Sequence, residues 1–247
     1  MGKHERPATV RFLQEVAAGR STALEVGLGG NRRSCDGAVW NSGGPGQLSG
    51  TDLLLVQTKR FLSTSVLGQA YFSTYLAEAA GARKARCIAL VGTPCPMLED
   101  LASRAPFAER VEVVVRPDLF EAGKYSGAPA WSRGAVEQWL DGRPAEQKTP
   151  LYPKGEGGAW SYDRACAVLE EHGQWTIINT QRKLGMSVLG RAFCARELLS
   201  HRTGPGARSL VLVRATANDL QGFAKRCGLS VLEVPERETA DRTLLRG

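Results

Sequence analysis

Histidine, paired cysteine and long apolar runs are scarce in this 247-residue chain. Its three histidines, His4, His172 and His201, lie far apart, which argues against a histidine metal cage and against a Ser/His/Asp triad. The six cysteines, at 35, 87, 95, 166, 194 and 227, include no Cys-x-x-Cys pair. That scatter fits reduced thiols in a cytoplasmic protein, most of them core filler, rather than a disulfide framework or a zinc ribbon. No stretch approaches the roughly 18 uninterrupted apolar residues of a membrane span, so no membrane partner is expected. The opening MGKHERPATVRF has no apolar core of a secretory signal, and Arg6 stands where a myristoylation signal has Ser or Thr. No Gly-Lys-Ser/Thr triplet marks a phosphate-binding loop. What the chain has in excess is positive charge: 32 Lys and Arg against 25 Asp and Glu, a formal +7. A basic surface attracts nucleic acid or acidic partners.

The chain also resembles itself. QTKRFLSTSVLGQAYFSTYLAEAAGARKARCIALVG (57–92) aligns without a gap on NTQRKLGMSVLGRAFCARELLSHRTGPGARSLVLVR (179–214). Thr58/Thr180, Arg60/Arg182, Leu62/Leu184, the whole of SVLG and Ala70/Ala192 are identical. Each segment reads as strand, helix, strand, and a further short helix and strand follow both. In the first the elements fall at about 52–59, 64–79, 86–92, 97–104 and 111–116; in the second at about 174–180, 186–200, 208–214, 217–227 and 230–234. Strands alternating with helices imply βαβ crossovers and a largely parallel sheet covered by helices.

The beginnings of the two segments differ. DLLLVQT is preceded by a helix, PATVRFLQEVAAG, and by two strands at about 21–28 and 34–41; WTIINTQ is preceded by a predicted helix, SYDRACAVLEEH. The expected architecture is therefore α/β: an αβββαβ core followed by a degenerate β-α-β-α-β copy. The corresponding boundaries are 1–117, a connector at 118–158 holding one short helix (SRGAVEQWLDG), and 159–247, ending in the polar tail ERETADRTLLRG.

One stretch of the first segment is unusual. The run DLLLV belongs in a buried strand, yet it continues into Gln57 and Lys59, two residues apart and so on one face by the period of a strand. The glycine-rich NSGGPGQLSG joins it to the preceding strand, so antiparallel pairing is the simple expectation. A turn centred near residue 46 places Asp36 beside Val56 and Gln57. The GLGGNRR turn places Glu25 beside Asp36. Polar side chains from three neighbouring strands then converge on one end of the sheet, provided the register does not slip by a residue.

This order of elements, with the Asp36-Gly37 pair on the second strand and the Gln57-x-Lys59 of VQTKR on the third, resembles the PD-(D/E)xK (restriction endonuclease-like) nuclease superfamily. Within it, the pattern looks most like the Mrr-type branch, which has Gln in place of the usual acid. The resemblance covers about residues 6–92. It implies a nuclease dependent on Mg²⁺ or Mn²⁺ with DNA as its partner. In that role Glu25 and Asp36 would bind the metal, Gln57 would offer a neutral oxygen, and Lys59 would orient the attacking water and offset negative charge on the phosphate. Glu15, on the first helix, is a rival for the upstream acid. Arg32, Arg33, Arg60 and Arg182 are candidates for nucleic-acid contacts.

Plainer roles stand beside these. Asp36 also suits the start of a strand, Glu25 an edge-strand charge paired with Arg32 or Arg33, Gln57 and Lys59 a solvated strand end, and Arg60 and Arg182 strand exits. The serines of STSVLGQA and GMSVLGRA suit either phosphate binding at a helix N-terminus or an ordinary cap. The second copy has Asn179 and Gln181 where the first has Gln57 and Lys59, and its Asp163 falls on a predicted helix. The leading expectation is thus a metal-dependent nuclease with one degenerate copy. The alternative is a non-catalytic nucleic-acid-binding or assembly subunit with protein partners of its own. A third is a small-molecule phosphate or nucleotide binder using the two helix N-termini.

Overall fold

The computed structural model describes residues 5–29, 34–120, 148–149, 167–216 and 218–234. Helix α1 (Glu5–Val16) leads into β1 (Thr22–Gly27), β2 (Ser34–Trp40) and β3 (Asp52–Phe61), then α2 (Thr64–Ala79), β4 (Lys84–Thr93), α3 (Pro96–Ala102) and β5 (Val111–Val115). These strands form one sheet in sequence order, β1 and β2 antiparallel to their successors and β3, β4 and β5 parallel. A second sheet is made of β6 (Lys148–Thr149), β7 (Ala167–Glu171), β8 (Gln174–Lys183), β9 (Arg208–Ala215) and β10 (Ser230–Glu233). Helices α4 (Met186–Thr203) and α5 (Asn218–Arg226) supply its crossovers. Its pairings run in the same pattern, antiparallel from β6 through β8 and parallel from β8 to β10. The protein is α/β, with two mixed five-stranded sheets. No described helix is long and apolar enough to cross a membrane.

Residues 53–56 (LLLV) are apolar throughout because β3 is covered on both faces. Leu53 and Leu55 join the core that holds Phe72 of α2, while Val56 and Leu54 pack with Phe12 and Leu13 of α1. Helix α1 turns Ala8, Thr9, Phe12 and Leu13 inward at helical spacing. It sits close because residue 37 is glycine: a Cβ there would lie 2.8 Å from Leu13 Cδ1 and 2.9 Å from Thr9 Cγ2. Gly37 thereby brings the N-terminal turn of α1 to the end of β3, where the candidate residues lie.

The second sheet corrects one sequence expectation. Residues 167–171 of the expected helix SYDRACAVLEEH form strand β7, which pairs antiparallel with β8. His172 and Gly173 close that hairpin at φ 51° and 76°, the two left-handed residues of a type I′ turn. The second copy therefore does possess the strand that precedes its central one. The helix expected at SRGAVEQWLDG, together with Asp163, Arg32, Arg33 and the polar tail, lies outside the described residues.

The two sheets meet through α2 and α4. Ser65 and Ser187 share a hydroxyl hydrogen bond at 2.7 Å, Gly68 packs on Gly190, and the rings of Tyr71 and Phe193 stack with centroids 5.0 Å apart. Each pair is separated by 122 residues, the offset of the sequence self-similarity. When successive equivalent residues meet along two helices, the helices run in the same direction about an approximate twofold axis lying between them. A single core, with Leu67, Phe72, Leu189, Phe193 and Phe223, is continuous across this contact.

Candidate active site

Three charged side chains gather at the C-terminal end of β3. Asp36, on β2, accepts the backbone N–H of Thr58 through Oδ2 at 2.7 Å. Lys59 Nζ donates to Glu5 Oε1, in the first turn of α1, at 2.6 Å. Lys59 and Glu5 are both charges that act on the Asp36 carboxyl. Beneath them the Thr9 hydroxyl bridges α1 to β3, donating to Thr58 Oγ1 at 2.8 Å or to the carbonyl of Glu5 at 2.9 Å. Glu5 is only 17% exposed, against 39% for Lys59, so the acid is the inner member of the pair.

The sequence positions distribute as follows. Asp36 and Lys59 come together as expected, and the observed register sets Gly37 opposite Val56 and hence Asp36 opposite Gln57. Gln57 does not join them through its amide nitrogen. It is buried, and Nε2 donates to Ser73 Oγ of α2 at 3.0 Å, whereas the Lys59 ammonium reaches α1. Glu25 lies between the pairs Leu24–Gly37 and Val26–Cys35, opposite Asp36, but at φ 53°, and its exposed carboxylate stands 3.9 Å from Arg6. The acid that accompanies Asp36 and Lys59 is Glu5, which the sequence reading missed because it began the first helix at Pro7. Glu15 belongs to a different structure. It holds Arg116, together with Asp118, at the surface, and the guanidinium keeps both carboxyls below their ordinary range. Arg60 lies over the ring of Phe61 with 5.3 Å to its centroid, and Arg182 is exposed at the matching end of β8.

Burial pushes the Asp36 carboxyl above the ordinary carboxylate range, opposed first by the Thr58 N–H and then by Lys59. Burial likewise pushes the Cys35 thiol up to about 12 and raises that of Cys87, so neither is a nucleophile at neutral pH. The Asp36 shift has a consequence for stability. Above the unfolded carboxylate value of about 3.9 and up to the raised folded value, the native state binds more protons than the unfolded chain. Stability therefore falls as pH rises through that window, and the loss persists at neutral pH. Asp36→Asn retains an acceptor for Thr58 N–H and removes the buried charge. Its melting temperature is expected above wild type at pH 7, with the difference gone below the unfolded value. An equal or lower melting temperature at pH 7 would contradict this account of the carboxyl.

Among the described residues, no three His, Cys, Asp or Glu side chains gather where a metal ion would be held. Among the described residues, Asp36 and Glu5 are the carboxylates near the Lys59 ammonium at this site. Such a set fits magnesium in its usual manner, in which one or two carboxylates bind and waters and substrate phosphates complete the shell.

No protein-family model matches the chain, and no curated protein does. Among solved structures, it is similar to EndoMS in complex with dsDNA, at 16% identity over 48% of this chain and 52% of that one, with a TM-score of 0.33. Apo EndoMS aligns at 14% identity over 47% and 49%, also with a TM-score of 0.33. The match spans about half the length of each EndoMS chain.

Proposed function

We propose that this protein is a DNA nuclease dependent on Mg²⁺ or Mn²⁺, with its reacting centre at Asp36, Glu5 and Lys59. The observation that carries the reading is the placement of Asp36 and Lys59 on adjacent strands at one end of the sheet, with Glu5 of α1 2.6 Å from the ammonium. Asp36 and Glu5 would hold the ion, which when bound would supply Lewis-acid activation of water and of the phosphate. Lys59 Nζ, bridged to Glu5 at rest, would donate to a phosphate oxygen and offset charge developing there. Thr58 N–H fixes the Asp36 carboxylate from the backbone, so its aim does not depend on a flexible side chain. Gln57 acts through position, tying β3 to α2 by its bond to Ser73.

The testing experiment incubates the purified chain with plasmid, linear duplex and single-stranded DNA in Mg²⁺, Mn²⁺ or EDTA. Cleavage in either metal and none in EDTA is the expected result. DNA left intact in both metals would overturn the enzyme. A second reading, a non-catalytic nucleic-acid-binding subunit, is favoured by the closed Lys59–Glu5 pair and the absence of a third described acid. It predicts DNA binding that is indifferent to EDTA.

A further inference from the structure

The parallel course of α2 and α4 puts the C-terminal ends of β3 and β8 at the same end of the molecule, because each strand leads directly into its helix. The end of β8 is thus a second station beside the first, related to it by the approximate twofold axis. Its chemistry is altered in one direction. Gln181 stands where the first sheet has Lys59, and Asn179 where it has Gln57. The register that pairs Gly37 with Val56 pairs Ala167 with Ile178, so the sequence counterpart of Asp36 is Cys166, which lies outside the described residues. Neither Asp36 nor Lys59 is therefore repeated in the second copy.

Positive charge is added in their place. Lys183 replaces Phe61, Arg191 replaces Gln69 and Arg214 replaces Gly92, while Arg182 is kept from Arg60. Arg182, Lys183 and Arg214 are exposed. The pairing of Gln181 with Val213 and Lys183 with Ala215 sets Arg182 and Arg214 on neighbouring strands. Arg191, from α4, directs a guanidinium nitrogen to the Thr180 carbonyl at 3.1 Å and to Gln181 Oε1 at 3.3 Å, bringing its charge to the same strand end. At these positions three cations are gained and one cation and one acid are lost. Such a surface suits phosphate backbone, and among the described residues it lacks the acids to cleave it.

We infer that the end of β8 is a cationic holding station for duplex DNA and that the chain cuts one strand of the duplex. The inference rests on the nuclease reading above. A duplex has local twofold axes relating its strands, and a protein with twofold-related stations on one face meets opposite strands with them. One station carries Asp36, Glu5 and Lys59; the other holds the uncut strand.

Two measurements on the full chain test this. With supercoiled plasmid and Mn²⁺, open-circular product is expected to accumulate, with linear DNA appearing only later from independent nicks. Linear product formed from the outset, without an open-circular stage, would overturn the single-strand cut and leave the nuclease reading standing. The second measurement is affinity for a short duplex in EDTA, wild type against the R182E/K183E double variant, which alters two exposed residues. A loss of about tenfold or more is expected, with the log–log salt dependence shallower by about two, since each phosphate neutralised contributes about −0.9. Unchanged affinity and slope would overturn the holding station. Uncut plasmid in every metal would overturn the nuclease reading and with it the nick, while the affinity comparison would still decide the station.

Discussion

Lys59→Ala is expected to lower the rate of DNA cleavage by about a hundredfold or more, the scale of losing one preorganised electrostatic group, with duplex affinity nearly unchanged. The reason lies in where the ammonium sits. It is held 2.6 Å from Glu5 and acts on Asp36, at a strand end that is partly closed to water. Removing it leaves the Asp36 and Glu5 carboxylates without the positive charge that acts on both. Asp36→Ala should abolish metal-dependent cleavage and tighten DNA binding slightly, because it deletes a negative charge facing phosphate. Single-turnover rates and equilibrium binding on the same duplex separate these effects. A Lys59→Ala protein that cleaves at the wild-type rate would remove Lys59 from the chemistry.

The second large effect concerns the axis between the two sheets. Gly68→Ala is expected to destabilise the protein by about 3 kcal/mol or more, at the upper end of what overpacking costs. A Cβ at Gly68 would run into the Cα and carbonyl of Gly190, which are backbone atoms and cannot rotate aside. A Cβ at Gly190 would in turn lie 2.8 Å from the Gln69 nitrogen. The helices must then separate, opening the core that holds Phe72, Phe193 and Phe223 in ring contact. Gly222→Ala in α5 is the control: its nearest neighbour is Arg226 Nη1 at 3.9 Å, and the helix propensity gained there is about 1 kcal/mol. Thermal unfolding of the two variants should move in opposite directions, and a Gly68→Ala protein as stable as wild type would contradict so close a helix contact.

The same glycines show why part of the molecule was legible before any coordinates. SVLG recurs at 65–68 and 187–190 because serine meets serine and glycine meets glycine where α2 and α4 touch, and a twofold contact demands the same residues on both sides. The alternation of strand and helix, the uninterrupted apolar run of β3 and the placing of Asp36 beside Val56 and Gln57 were likewise readable, since each follows from local period and loop length. Strand β7 left a readable trace as well: His172-Gly173 is a two-residue turn between strands, outweighed in the reading by the helix-forming residues before it.

Other features were settled only by packing. Glu5 precedes the proline at which the sequence pattern opens the first helix, and no local rule joins it to a lysine 54 residues away. Only the approach of α1 to β2, permitted by Gly37, brings the two together. Gln57 and Lys59 share the alternation of one strand, but Ser73 takes the first amide and Glu5 the second ammonium, because the covering helices differ at the strand's end. Glu25 has the register the sequence implies and a backbone angle it does not, and that angle leaves its carboxylate near Arg6. The sequence by itself determined the element order of the first sheet, the offset of 122 residues and the strand carrying Lys59. Tertiary structure alone decided which acid meets that lysine and that both strand ends share one face, because these depend on contacts between elements that no spacing along the chain encodes.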